Sequence, residues 1–80
     1  MTTAEKIRTL QIEAGQAGDD AQVAICDIAL HGSLDEDRAA KLTEADRAIV
    51  AQCDTQAKAL AECLRVIADP LDDWKRRVSA

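Results

Sequence analysis

The sequence contains no phenylalanine or tyrosine, and it has one tryptophan and one proline among its 80 residues. Aromatic and β-branched residues are typical of strands, whereas alanine and leucine favour helices. Alanine occupies sixteen positions and leucine seven. This composition argues against an all-β fold, and no segment has the alternating polar and apolar pattern of a half-buried strand.

Histidine and glycine are also scarce. His31 is the one imidazole, there are three glycines, and neither a Cys-x-x-Cys pair nor a glycine-rich phosphate loop occurs. A zinc site needs clustered ligands at short spacing, and a cysteine nucleophile needs a base beside it. Because nothing in the sequence links His31 to a thiol, we expect no catalytic residue, no metal, no cofactor and no enzymatic activity.

Long apolar runs are missing as well. No stretch approaches the roughly 20 residues that cross a bilayer, and the N-terminal segment lacks the basic start and apolar core of a signal peptide. We therefore expect a cytoplasmic protein with no membrane partner. Cys26, Cys53 and Cys63 are odd in number and widely spaced, so they should remain free thiols. Cys26 and Cys63 fall on predicted apolar faces and are interpreted as core residues, with a redox or metal sensor as the alternative.

Signals for helix starts and stops recur along the chain. The segment Thr2–Glu5 has the pattern of a capping box and predicts a first helix over residues 3–17. Gly18 follows as a residue that can turn left-handed and end this helix. Gly15 is an internal weak point, since glycine costs about 1 kcal/mol relative to alanine inside a helix.

The next two helices are predicted from the same kinds of signal. Asp19 caps a second helix over residues 20–31, and Gly32 ends it. This helix is apolar around most of its circumference, which predicts that it lies at the centre of the core. A capping box at Ser33–Glu36 then predicts a short third helix over residues 34–41.

The second half of the chain has a longer apolar pattern. A fourth helix start lies at Thr43–Asp46, and apolar residues then repeat every three or four positions. The repeat fits one helix over residues 44–68, about 37 Å long. A break at Asp54 and Thr55 is the alternative, because aspartate is a good cap and both residues are mediocre helix formers. Asp69–Pro70 then predicts the start of a terminal helix.

These signals together predict the fold class. We expect an all-α protein: a single helical domain over residues 1–80, formed by a small bundle of four to five helices with one long helix in the C-terminal half. The apolar side chains are small, so the core is shallow, and a second copy or a larger partner would add buried surface. The exposed side of the long helix, which includes Leu64, is the predicted seam of a homodimer.

The negative charge is concentrated in one part of the sequence. The chain has a net charge of −5, and residues 19–46 alone carry eight acids against two bases, a net of −6. One interpretation is that several helix N-termini fall here, where acidic residues are favourable. The other is an acidic surface that binds a basic partner. A direct contact with nucleic acid is not expected, because it would need a basic face.

Two sets of residues are predicted to contact a partner. Trp74 is the one aromatic side chain. It either docks the C-terminal turn onto the bundle or anchors an interface, where tryptophan is enriched among the residues that contribute most to binding. The acidic segment supplies the other predicted contact residues, which are Asp35, Glu36, Asp37, Glu44 and Asp46.

Two segments, Ala17–Cys26 and Ala59–Asp69, resemble parts of small uncharacterised helical proteins of bacteria and their phages and prophages. They carry a cap and two cysteine-bearing apolar faces, and no catalytic residue to transfer. In general character the chain is similar to phage-encoded inhibitors such as anti-CRISPR proteins, many of which mask a nucleic-acid site on a host complex. This resemblance implies a non-enzymatic protein that binds and inhibits a basic, nucleic-acid-handling complex. The alternative is a self-associating helical module with a structural or regulatory role.

Overall fold

The computed structural model describes residues 2–68 of the chain. These residues form five helices and no strand, which confirms the predicted all-α fold. Trp74 and the predicted terminal helix lie outside the described residues. The helices are α1 (Thr3–Ala17), α2 (Asp20–His31), α3 (Glu36–Lys41), α4 (Glu44–Ala51) and α5 (Gln56–Ala68).

The first two helices begin at the residues that the sequence predicts. The Thr2 hydroxyl accepts a hydrogen bond from the Glu5 amide at 3.2 Å, and the Asp19 carboxylate accepts one from the Gln22 amide at 3.1 Å. Each bond satisfies a backbone donor that has no partner within its own helix. These caps therefore fix where α1 and α2 start.

Glycines end both of these helices. Gly18 and Gly32 adopt the left-handed conformation, with φ of +83° and +79°. Residues with a Cβ rarely adopt this conformation. At the end of α1 it lets the Gly18 amide donate to the Gly15 carbonyl and the Asp19 amide donate to the Ala14 carbonyl. The predicted ends of α1 and α2 are confirmed.

The start of α3 differs from the prediction. Asp35 is the N-cap, and its carboxylate accepts a hydrogen bond from the Arg38 amide at 3.2 Å. The helix therefore begins at Glu36, two residues later than predicted, and the assignment of Ser33 as the cap was wrong. Aspartate caps a helix as well as serine does, and this register keeps the acidic residues in the first turn, where the helix dipole stabilises them.

The long helix predicted over residues 44–68 is two helices, so the single continuous helix was wrong and the alternative break is confirmed. Gln52 ends α4: its amide donates to the carbonyl of Ile49 at 3.2 Å, and the Cys53 amide donates to that of Val50 at 2.9 Å. The Thr55 hydroxyl then accepts a hydrogen bond from the Lys58 amide at 3.2 Å and caps α5. The break lets both helices pack on α2, which is short and could contact only part of a straight helix of that length.

The core is built around α2, as predicted. Every residue from 21 to 29 is buried, and α1 and α5 make its most extensive contacts. Small side chains such as Ala24 and Ala59, both completely buried, allow the helices to approach closely. None of the helices within residues 2–68 is long and apolar enough to cross a membrane.

Candidate functional site

Two of the five predicted contact residues take part in helix capping. Asp35 caps α3, as described above. At the start of α4, the Thr43 amide donates to the Asp46 carboxylate and the Asp46 amide donates to the Thr43 hydroxyl, both at 3.1 Å. These two carboxylates therefore fix the starts of α3 and α4, which agrees with the interpretation that the acidic segment contains several helix N-termini.

The other three predicted residues are free of such contacts. Glu36 and Asp37 lie in the first turn of α3 and Glu44 in the first turn of α4, and all three are exposed. Within residues 2–68 none of them forms an ion pair or a side-chain hydrogen bond. We call Glu36, Asp37 and Glu44 the free carboxylates.

The α3 helix, which carries two of the free carboxylates, contributes no buried residue to the core. The core therefore does not hold it through apolar contacts of its own. One attachment is Arg38, whose Nε lies 2.7 Å from Oδ2 of Asp27, although the N–H is not aligned for a hydrogen bond. Arg47 of α4 also donates to the Ala39 carbonyl at 3.5 Å, and Leu42, which follows the helix, is buried in the core. The α3 helix is therefore presented on the outside of the bundle.

Asp27 is a buried acid on the central helix. It is 4% exposed, and its second oxygen, Oδ1, accepts a hydrogen bond from Gln11 Nε2 at 2.9 Å. Its burial and its partners were not predicted from the sequence, where Asp27 counts only as one of the eight acids of residues 19–46. Its position on a helix that is apolar around most of its circumference could have indicated that Asp27 is buried. A buried charge requires a partner, so the same position could have indicated an ion pair.

A polar cleft of about 460 Å³ opens beside this ion pair. Within the part of the chain that the structure describes, no hydrogen bond joins His31 to Ser33 or to a carboxylate, so the cleft holds no assembled serine–histidine–aspartate relay. It offers hydrogen-bonding groups and a half-exposed guanidinium. The residues that line it are Asp27, His31, Ser33, Asp35 and Arg38.

An apolar groove of about 540 Å³ lies between α3 and α4. Two charged side chains, Glu36 and Arg47, also line it, so one free carboxylate borders apolar surface directly. We call it the α3–α4 groove. Its apolar lining consists of Leu34, Ala39, Ala40, Leu42, Val50 and Ala51.

The three cysteines are free thiols, and two of them meet in the core. Cys26 on α2 and Cys63 on α5 are completely buried, with their sulfurs 3.8 Å apart. Hydrogen bonding to Cys63 and to Gln22 lowers the pKa of Cys26, whereas the hydrogen bond to Cys26 and burial raise the pKa of Cys63. The predicted core positions of Cys26 and Cys63 are confirmed.

No group of three or more histidine, cysteine, aspartate or glutamate side chains within residues 2–68 could hold a metal ion. Comparisons with protein-family models, with curated proteins and with solved structures find no match for this chain. The resemblance to phage-encoded inhibitors therefore stays a prediction.

Proposed function

We propose that this chain is a non-enzymatic inhibitor that binds a basic, nucleic-acid-handling complex through the free carboxylates and the α3–α4 groove. The observation that carries the proposal is α3 itself, which has no buried residue and yet is tied to the core by a buried carboxylate. A helix that adds nothing to the core is well placed to contact another molecule.

The charges of this surface favour a basic partner. Arg38 is paired with Asp27, so it does not neutralise Glu36 or Asp37 on its own helix. Lys41 on the same helix and Arg47 across the groove offset part of this charge, but neither forms an ion pair with Glu36 or Asp37 within residues 2–68. Exposed carboxylates of this kind attract lysine and arginine of a partner over about a Debye length, roughly 8 Å at physiological salt. Such attraction raises association rates and weakens as salt is added.

The α3–α4 groove supplies the apolar part of the contact. Protein interfaces combine a desolvated apolar centre with a charged rim, and a few anchoring side chains provide most of the affinity. An apolar side chain of the partner would enter between Leu42 and Val50, while lysine or arginine residues beside it would meet Glu36. The partner segment that fits this surface is amphipathic and basic.

Inhibition follows from competition for the same basic surface. Proteins that handle nucleic acid bind phosphates through lysine and arginine, and this term provides much of their affinity. A chain that places carboxylates over those residues excludes the nucleic acid without any chemical step. We therefore expect nucleic acid and this chain to compete for the partner.

The test is a matched pair of charge reversals. The variant Glu36→Lys/Asp37→Lys reverses two free carboxylates. The control Glu13→Lys/Asp54→Lys makes the same change in net charge at exposed residues outside α3 and α4, and it removes only the exposed Asp54–Lys58 ion pair. Each protein is immobilised on a resin and incubated with nuclease-treated bacterial lysate. The proteins that it captures are then identified by mass spectrometry. Dissociation constants for a basic amphipathic helical peptide are measured in parallel at low and high salt.

We expect the wild-type protein and the control to capture basic, nucleic-acid-binding proteins, and the variant Glu36→Lys/Asp37→Lys to lose them. Added nucleic acid should release these proteins from the wild-type chain. The peptide should bind at least tenfold more weakly to that variant at low salt, and the difference should shrink at high salt. Equal capture by both variants, or capture that nucleic acid does not reverse, contradicts the proposal.

A second candidate function, self-association, is favoured by one observation on α5. Leu64 is 42% exposed, although it is a large apolar side chain on an amphipathic helix. Leu64→Glu should then convert a homodimer to a monomer in light scattering, while Ala48→Glu, at an exposed position of α4, should not. A strictly monomeric wild-type protein at high micromolar concentration would remove this candidate.

A further inference from the structure

Two cysteines that are far apart in sequence are in direct contact in the core. Cys26 lies on α2 and Cys63 on α5, and their sulfurs are 3.8 Å apart. We propose that Cys26 and Cys63 form a modification site, at which a hydroperoxide converts the two thiols into a reversible disulfide between α2 and α5. This proposal is independent of the partner surface on α3.

The geometry requires little movement of the sulfurs. A disulfide bond is about 2.0 Å long, so they must approach each other by about 1.8 Å. Their helices already pack against each other, and the neighbouring Ala59 of α5 is completely buried. Once one thiol is oxidised, the other is therefore in place to react before a second oxidant arrives.

A buried amide lies against both sulfurs. Gln22 is completely buried, and its Nε2 is 3.7 Å from the sulfur of Cys26 and 4.0 Å from that of Cys63. An N–H donor stabilises a thiolate, which is the form that attacks a peroxide. The shorter of the two contacts is to Cys26, which makes Cys26 the expected attacking thiol and Cys63 the resolving thiol, and the lowered pKa of Cys26 agrees with this contact.

A cleft of about 580 Å³ lies beside the α2–α5 contact, although neither sulfur of the pair lines it. Ile25 and Glu62 line this cleft, and they directly precede Cys26 and Cys63 in the chain. Both sulfurs are fully buried, so a small opening of the α2–α5 contact must precede the reaction. We therefore expect hydrogen peroxide to react, and bulky thiol reagents to react far more slowly.

The chemistry balances in two steps. The Cys26 thiolate attacks one oxygen of the hydroperoxide, the O–O bond breaks, and Cys26 becomes a sulfenic acid while the oxidant leaves as an alcohol or as water. The Cys63 thiol then attacks the sulfenic sulfur, the S–O bond breaks, and water leaves with the thiol proton. The two thiols together lose two electrons, which the hydroperoxide gains.

Cys53 is the competing thiol, and it provides the control. It lines the same cleft and is 6% exposed, but burial, together with the carboxylates of Glu62 and Asp54, raises its pKa. A thiol with a raised pKa is less often the reactive thiolate. Cys53→Ser should therefore leave the oxidation of the pair unchanged.

The experiment uses the reduced full chain and hydrogen peroxide. After the reaction, free thiols are alkylated in denaturant and the intact mass and linked peptides are determined. We expect a mass lower by two hydrogens, a peptide in which Cys26 is joined to Cys63, and one alkylated cysteine, Cys53. The urea midpoint should rise on oxidation and return with dithiothreitol, because the link constrains the unfolded chain.

The variants separate this result from nonspecific oxidation. Cys53→Ser should form the same disulfide, whereas Cys26→Ala and Cys63→Ala should show no intramolecular link and no rise in the urea midpoint. The peptide map of the wild-type protein needs no variant, so the proposal can be tested even if an alanine variant does not fold. A disulfide that includes Cys53, a link between two chains, or sulfinic acid without a disulfide would overturn it.

Discussion

Asp27 on α2 and Arg38 on α3 form an ion pair of 2.7 Å that joins an unburied helix to the centre of the core. Gln11 of α1 donates to the other oxygen of the same carboxylate, so three helices meet at one acidic group. A buried carboxylate without these partners would be strongly unfavourable. The orientation of α3, and with it the proposed binding surface, therefore depends on a polar contact.

Replacing Arg38 should measure the strength of that contact. We expect Arg38→Met to lower the free energy of unfolding by about 1–2 kcal/mol, below the 3–5 kcal/mol typical of a fully buried pair, because 44% of the arginine side chain is exposed. Urea unfolding at neutral pH and hydrogen exchange of the α3 amides would record the loss. Arg8→Met, an exposed control on α1, should change little, and equal effects of the two variants would contradict the role of the ion pair.

The sequence predicts the features of this fold that depend on near neighbours in the chain. A cap such as Asp19 acts on an amide three residues away, and a glycine such as Gly18 ends a helix through its own backbone conformation, so both can be recognised locally. The break between α4 and α5 was harder to place. The apolar repeat continues in phase across residues 52–55, so periodicity alone does not distinguish one helix from two.

The parts that sequence analysis missed depend on contacts between distant residues. Asp27 takes its partners from α1 and α3, and the Cys26–Cys63 contact spans 37 positions. Nothing in local propensity indicates which polar residue a buried acid will meet. The acidic segment was predicted correctly as a set of helix N-termini, but only the structure separates the capping residue Asp35 from the free carboxylate Glu36.

Two glycines of the first helix should respond to alanine in opposite directions. Gly18 has a φ of +83°, so Gly18→Ala forces a left-handed conformation on a residue with a Cβ and should cost about 1 kcal/mol. Gly15 lies inside α1, and a Cβ there would meet only Val23 Cγ2, at an ordinary 3.8 Å. Gly15→Ala should therefore stabilise the protein by up to about 1 kcal/mol. Thermal unfolding should show a lower melting temperature for Gly18→Ala and a higher one for Gly15→Ala. A stabilising effect of Gly18→Ala would contradict the assigned end of α1.

Close packing of α2 on α5 should make one alanine intolerant of larger side chains. Ala59 is completely buried, so Ala59→Leu should overpack the core and cost about 1–3 kcal/mol. Ala57, exposed on the same helix, is the control, and Ala57→Leu should change stability by less than about 0.5 kcal/mol. Urea midpoints would show the difference, and similar values for the two variants would mean that α5 does not pack on α2 through Ala59.

The chain has no tyrosine, so no phenol titrates in the alkaline pH range in which the cysteine thiols lose their protons. Burial, followed by the carboxylates of Glu62 and Asp54, raises the pKa of Cys53, so the folded chain keeps this proton at a pH where the unfolded chain loses it. The resulting stabilisation is present below the pKa of the unfolded thiol and is lost as pH rises through the folded pKa.

Under reducing conditions we therefore expect iodoacetamide to alkylate Cys53 with a pH midpoint above that of the same cysteine in urea. Between neutral pH and the onset of lysine titration, the urea midpoint of Cys53→Ala should fall less than that of the wild-type protein. Cys26 and Cys63 remain in both proteins, so the comparison reports Cys53 together with its smaller effect on the pKa of Cys63. Identical alkylation midpoints in the folded and unfolded chain would show that the Cys53 thiol is not held in the low-polarity environment described here.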